Sequence, residues 1–204
     1  MESRAIFIYG PPGAGKGTIL ERLAREFKQF KHLSSGDLVR EWLKADGPEQ
    51  REYLEQYKRG VLLGDEQLCK IVTQSRDALI KRTEYKPSFQ YLMPDGFPRT
   101  HRQAELLEWL NVTECIRLYG VPRETLETRI IGRAENEVAQ GRKPRLDDIN
   151  PAARQKRIAE YPLQLAASRF YKARGAPETC INVDCGKDET YLRIVRHLHA
   201  QRFI

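Results

Sequence analysis

A chain of 204 residues, 40% hydrophobic and 31% charged, is long enough for one buried core of ordinary domain size with small inserted modules. No apolar run approaches the roughly 18 residues of a spanning helix, and an acidic Glu2 ahead of a five-residue apolar run makes no signal peptide. A cytoplasmic protein without a membrane partner is expected. The net charge of +7 raises the question of nucleic acid, but the stretch Arg129–Arg157 alone holds eight basic and four acidic residues. Such a local cluster suits a clamp on small phosphates better than a polynucleotide groove, so no nucleic-acid partner is expected.

In chain order, the apolar run Ala5–Tyr9 reads as a buried parallel strand, and Ile19, Leu20, Leu23 and Phe27 have the spacing of a helix from Lys16 to Phe27. Between them lies Gly10-Pro11-Pro12-Gly13-Ala14-Gly15-Lys16-Gly17-Thr18. Glycines at this density let backbone N–H groups turn inward, and with the positive end of the helix they form a cage for a polyphosphate, to which Lys16 adds a full charge. The spacing is that of G-x-x-x-x-G-K-[ST], except that Gly17 follows the lysine and the hydroxyl comes one place later, at Thr18. A Mg²⁺ ion is then expected to depend on a carboxylate elsewhere, on water and on the substrate phosphates.

Beyond the first helix the pattern predicts a short strand at His32–Leu33, helices at 37–44 and 49–58, a long helix at 65–81, a strand at 89–93 and a helix at 101–110. A strand at 115–119, a helix at 123–133, an arginine-rich loop and one long helix at 151–173 follow, and a strand at 180–183 and a helix at 189–199 close the chain. Alternating strands and helices mean right-handed crossovers and a parallel sheet covered on both faces, an α/β fold of three layers with ligands at the carboxyl ends of the strands. Two polar stretches, about 34–60 and 132–150, interrupt this order and read as a helical module and an exposed flap. The four cysteines lack a C-x-x-C pair and read as ordinary buried or partly buried thiols.

Two further segments carry chemistry. His32–Arg40 ends a strand in a hydroxyl-rich turn, where Ser35 or Asp37 caps a helix on the plainest reading. Asp95-Gly96-Phe97-Pro98-Arg99-Thr100 puts a carboxylate at the carboxyl end of a strand, where it holds waters on Mg²⁺, with Arg99 in reach of a phosphate. Thr100-x-x-Gln103 fits a helix-capping box, but a glutamine amide can equally read the edge of a base. The four histidines, at 32, 101, 197 and 199, stand in no catalytic pattern.

Taken together, Gly10–Thr18, HLSSGDLVR at 32–40, GVLLGDE at 60–66, DGFPRT at 95–100, RIIGR at 129–133 and RLDD at 145–148 resemble, in that order, the motif series of the adenylate kinase family of nucleoside monophosphate kinases. The resemblance implies a P-loop NTPase core (1–31, 62–132, 158–204), a monophosphate-binding insertion (32–61) and a lid (133–157) of the short, metal-free form. It implies that Gly13, Ala14, Gly15, Lys16, Gly17 and Thr18, with Arg129 and Arg133, bind ATP. It further implies that Ser35, Arg40, Gly60, Val61, Leu62, Leu63, Gly96, Arg99, Gln103, Arg145 and Arg157 bind AMP. Lys16, Arg40, Arg99, Arg133, Arg145 and Arg157 would surround the transferred phosphoryl, with Mg²⁺ near Asp95 through water. Gln103 falls where adenylate kinases read adenine and the related pyrimidine kinases carry Asn. The expected reaction is ATP plus AMP to two ADP, in a monomer. A kinase for CMP, UMP or a deoxynucleotide, or a module that binds nucleotide or RNA without turnover, stands as the alternative. Three departures go with the resemblance: Gly64 replaces the usual Pro, either Arg142 or Arg145 takes the lid's phosphate contact with the aspartate spacing favouring Arg145, and Tyr161-Pro162 sets a proline in a helix.

Overall fold

The computed structural model describes residues 1–204 apart from 46, 59, 60, 62, 142 and 160, and leaves aside the side chains of 57, 58, 146, 147, 153, 163 and 164. Gly60, Leu62 and Arg142, named above, therefore lie outside the described residues. Five parallel strands form one sheet: β1 (Ser3–Tyr9), β2 (Phe30–Ser34), β3 (Tyr91–Asp95), β4 (Leu110–Tyr119) and β5 (Glu178–Asn182), in the order β2-β3-β1-β4-β5. Among the described residues the helices are α1 (Lys16–Glu26), α2 (Ser35–Leu43), α3 (Pro48–Lys58), α4 (Asp65–Lys81), α5 (His101–Leu106), α6 (Arg123–Ala139), α7 (Leu146–Ile149), α8 (Pro151–Ala159), α9 (Tyr161–Ala173) and α10 (Lys187–Ala200).

β1 shows why the sheet is covered on both sides. Its residues alternate between Ala5, Phe7 and Tyr9, which pack with α2, α4, α5 and α9, and Ile6 and Ile8, which pack with α1, α6 and α10. Every residue of that run is essentially buried, so each large side chain adds roughly 1.5–3 kcal/mol of hydrophobic stabilisation. Beneath the sheet Arg76 is buried, donating to Ser3 Oγ and to the Met1 carbonyl and lying against the ring of Trp109.

Several boundaries depart from the sequence reading. β4 begins at Leu110, five residues early, and the preceding helix stops at Leu106, because Asn111, Thr113 and Glu114 interrupt the apolar run, while Asn111 and Glu114 pair with β1 and Thr113 bulges between them. Glu114 is buried, and its carboxylate meets His197 Nε2 at 3.0 Å. β3 runs two residues later than predicted: Phe89 sits exposed in a turn, whereas Pro94 continues the strand opposite Leu33 of β2. A strand residue uses its N–H toward one neighbour only, so this proline costs one ladder bond and not the strand. β2 extends through Ser34, so residues 32–34 of the predicted insertion are part of the sheet.

The flap predicted from residue 132 begins as helix, since α6 continues to Ala139 with Ala134 turned inward. The single helix predicted at 151–173 is two, and Pro162 lies in the first turn of α9, where a missing N–H leaves no helical bond unmade. Cys180, expected to be covered, is exposed, because β5 is an edge strand and turns Ile181, not Cys180, to the core. Among the described residues no helix is long and apolar enough to cross a membrane.

Candidate active site

The strand carboxyl ends of β1, β2 and β3 meet at one edge, and the phosphate loop leaves from β1, the middle strand of the sheet. Gly13 and Gly15 adopt φ of 84° and 88°, a left-handed conformation that side chains resist. Space fixes the first as well: a Cβ on Gly13 would come within 2.6 Å of the Leu126 carbonyl oxygen on α6. The loop is thus pressed onto core backbone, with Ala14 buried and its N–H bonded to the Pro11 carbonyl, and Thr18 exposed on α1. Lys16 curls back over it, donating to the carbonyls of Gly10 at 2.6 Å and Pro11 at 3.0 Å.

Asp95 ends β3 beside Ser34 of β2. A Cβ on Gly17 would stand 3.3 Å from Asp95 Oδ2, so the carboxylate occupies the surroundings into which a hydroxyl residue after the lysine would project. Burial pushes the Asp95 carboxyl up, but His32, with Nε2 3.5 Å from Oδ2, and the charge of Lys16 outweigh it and hold Asp95 below the usual carboxylate range. Burial likewise pushes Lys16 down to about 8, with Asp95 opposing and Arg157, Arg99 and Arg133 reinforcing the fall. These five residues come from four separate segments, yet they share one field.

Ser35 is buried at the start of α2, against Gly96, whose φ is 77°. Arg99 Nε donates to the Gly96 carbonyl at 2.7 Å. Arg40 pairs with Asp37 on the same helix. Burial raises Asp37, yet the Ser34 hydroxyl and the charges of Arg40 and Arg145 bring it below the usual range. Arg145 also lowers Asp95. On the lid side Arg133 grips Asp148 with two nitrogens, Nε to Oδ2 at 2.8 Å and Nη2 to Oδ1 at 2.6 Å, and Arg157 Nη1 reaches Oδ1 at 3.0 Å. Arg154 donates to the Asp148 main-chain carbonyl. Asp148 is only 1% exposed.

Gln103 is buried on α5 and held at both ends of its amide. Its Oε1 accepts from the Arg99 N–H at 2.7 Å, its Nε2 donates to Asp65 Oδ1 at 2.8 Å, and its own N–H is capped by Thr100 Oγ1, as the capping box predicts. Leu63 is half-buried, and the exposed Val61 accepts a hydrogen bond from Tyr53 through its carbonyl. Arg129 is the outlier: it donates to the Cys185 carbonyl at 3.3 Å, beside α10. Asp148, Asp65 and His32 were not singled out as site residues from the sequence. The only signals for them were the paired aspartates after Arg145, the acidic start of α4 and a histidine two residues ahead of the hydroxyl turn.

A cage of backbone N–H groups, a lysine, an ionised carboxylate and a ring of arginines can hold and neutralise polyphosphate. Comparison with known proteins points the same way. The family model described as "Adenylate kinase" matches residues 8–176. A protein named adenylate kinase from Deinococcus radiodurans is 34% identical over 203 residues, covering 97% of this chain and 98% of its own length. One from Thermus thermophilus is 34% identical over 196 residues, covering 94% and 95%. Adenylate kinase isoenzyme 1 of Oryctolagus cuniculus is 26% identical over 200 residues, covering 98% and 96%. With a match over most of its length to that family, and the phosphate-binding geometry to go with it, the chain belongs to the adenylate kinase family of phosphotransferases.

Proposed function

We propose that this phosphotransferase moves the terminal phosphoryl group of Mg·ATP reversibly to AMP, giving two ADP, as a monomer in the cytoplasm. The observation that carries the reading is the convergence of Asp95, Arg99, Arg133 and Arg157 around Lys16, close enough to act on its charge and brought together by no packing requirement. An AMP phosphate oxygen attacks the γ-phosphorus, the bond from that phosphorus to the β,γ-bridging oxygen breaks, and the electron pair leaves on the β-phosphate of ADP. The attacking oxygen is already anionic at neutral pH, so the reaction needs no general base, and what the chain supplies is position and charge.

In this reading Gly13–Thr18 and Lys16 hold the donor phosphates, Arg129 lies against the donor's adenine, and Arg133 holds phosphate from the lid at 133–157. Ser35, Arg40, Val61, Leu63, Gly96, Arg99, Arg145 and Arg157 form the AMP side with the insertion at 32–61, and Gln103 meets the adenine. The donor set fits a magnesium ion: Asp95 is a single hard carboxylate, kept ionised beside Lys16 and Gly17. Mg²⁺, when bound, neutralises charge building on the phosphate oxygens. Closure of both modules over the substrates excludes water, which would otherwise accept the phosphoryl group.

The test is a steady-state assay with Mg·ATP against AMP, CMP, UMP, GMP and dAMP, following diphosphate formation. Strong preference for AMP is expected. Preference for a pyrimidine monophosphate would overturn the role given to Gln103, and binding of RNA without turnover of any monophosphate would overturn the reaction.

A further inference from the structure

Gln103 is held at both ends by groups that cannot exchange roles. The Arg99 N–H is a donor only, so it must meet Oε1. The Asp65 carboxylate accepts from Gln103 Nε2 at 2.8 Å through Oδ1 and from Thr100 Oγ1 at 2.8 Å through Oδ2. Thr100 Oγ1 in turn accepts from the Gln103 N–H at 3.0 Å, so Asp65 braces both the side chain and the cap of the helix that carries it. Asp65 stands in the first turn of α4, where the helix favours a carboxylate. With those bonds made, the amide has one Nε2–H and one Oε1 lone pair left to offer.

That remaining pair has a polarity. Adenine presents N1 as acceptor and N6–H as donor, which match Nε2–H and Oε1. A 6-oxopurine presents the reverse, N1–H and O6, and would need the amide turned over. Turning it would set Nε2–H₂ against the Arg99 N–H and Oε1 against the Asp65 carboxylate, two repulsions in a buried site.

We propose that Asp65 is a positioning residue which locks the Gln103 amide in the orientation complementary to adenine, so that discrimination between 6-amino and 6-oxo purine monophosphates is set from the start of α4. This rests on the reading of Gln103 given under the proposed function. Asp65 touches no substrate and acts through Gln103.

The experiment measures kcat and KM for AMP and for IMP at saturating Mg·ATP, with thermal midpoints alongside, for the wild-type chain, Asp65→Ala, Asp65→Ser and Asp65→Asn. IMP differs from AMP only in the two positions that Gln103 would read. The wild type should prefer AMP strongly. Asp65→Ala should raise KM for AMP and narrow the AMP:IMP ratio of kcat/KM, each roughly tenfold, with much less change in kcat or in KM for ATP. Asp65→Ser keeps a polar residue fit for a helix start but falls short of Gln103, so it should behave like Asp65→Ala even where the alanine variant folds poorly. Asp65→Asn, which keeps an acceptor in place, should restore most of the discrimination. Unchanged AMP:IMP ratios in Ala and Ser, or equal losses on both substrates, would overturn the role of Asp65 alone. A wild type indifferent between AMP and IMP would overturn the reading of Gln103, and this inference with it.

Discussion

The phosphate loop and the proposed lid both gather positive charge, by opposite means. In the loop, position comes from the backbone: Gly13 lies so close to Leu126 that the chain can take no other path, and Ala14 is buried beneath it. In the lid, position comes from side chains gathered on a carboxylate, with Arg133 and Arg157 both on Asp148. The first arrangement is built with the core and stands ready without ligand. The second is an ion-pair cluster, in which a phosphate entering among the guanidinium forks competes with a carboxylate already there. One site thus combines a fixed half and an exchangeable half.

The largest effect should come from the charge on the fixed half. Lys16→Met should lower turnover by roughly 10²–10³-fold, with a thermal midpoint close to wild type because the residue serves charge and not packing. The wild type should also show a pH profile that the variant lacks. Burial pushes Lys16 down to about 8, and phosphate needs the ammonium form, so kcat/KM for ATP should fall as pH rises through that value. Stability moves the other way. The folded value lies below the unfolded one, so the unfolded chain binds more protons between them and the folded state gains as pH rises across that window. A flat kcat/KM profile from pH 7 to 9 would remove the lysine from its role.

Next comes the backbone of the loop. Gly13→Ala combines a positive φ with a contact of 2.6 Å to backbone oxygen, which should cost about 2–3 kcal/mol of stability, read by denaturant unfolding, together with loss of ATP binding. If ATP affinity survives intact, the loop is not held as rigidly as its packing indicates.

The smallest effect is expected in the lid, and it should divide differently. Asp148→Asn removes the charge that gathers Arg133 and Arg157, so kcat should fall by roughly tenfold as the arginines lose their fixed geometry. The Kd for ATP should stay level or tighten, because a competing negative charge has gone. The partial exposure of both arginines keeps the stability loss to about 1–2 kcal/mol, below that of a fully buried pair. A variant with weaker ATP binding and unchanged kcat would reverse the assignment of positioning to the lid and binding to the loop.

Sequence legibility follows the same division. β1, the loop and α1 could be read almost to the residue, because a five-residue apolar run and glycine spacing leave one structure available, and α4 was predicted at its observed bounds. β4 was half missed because Glu114 is polar and yet buried, its partner His197 lying 83 residues away in sequence. The last turns of α6 were missed because Glu135, Asn136 and Glu137 suit either an exposed helix or a loop. In the site, the arginines could be named through the resemblance of their motifs to those of the family. The carboxylates that hold the site's side chains could not, since Asp148 matters through Arg133 and Asp65 through Gln103, partners brought close only by folding.

The edge strand β5 has a practical consequence for labelling. Cys69 and Cys115 are buried, and desolvation pushes both thiols up to about 12, which leaves almost no thiolate to react. Cys185 is half-covered, with its sulfur 3.2 Å from Thr190 Oγ1. Cys180 alone of the four stands exposed, so a maleimide dye offered to the native protein attaches first on the sheet, away from the lid arginines. The fold thus comes with its own handle for a fluorescent reporter fixed to the sheet's edge strand.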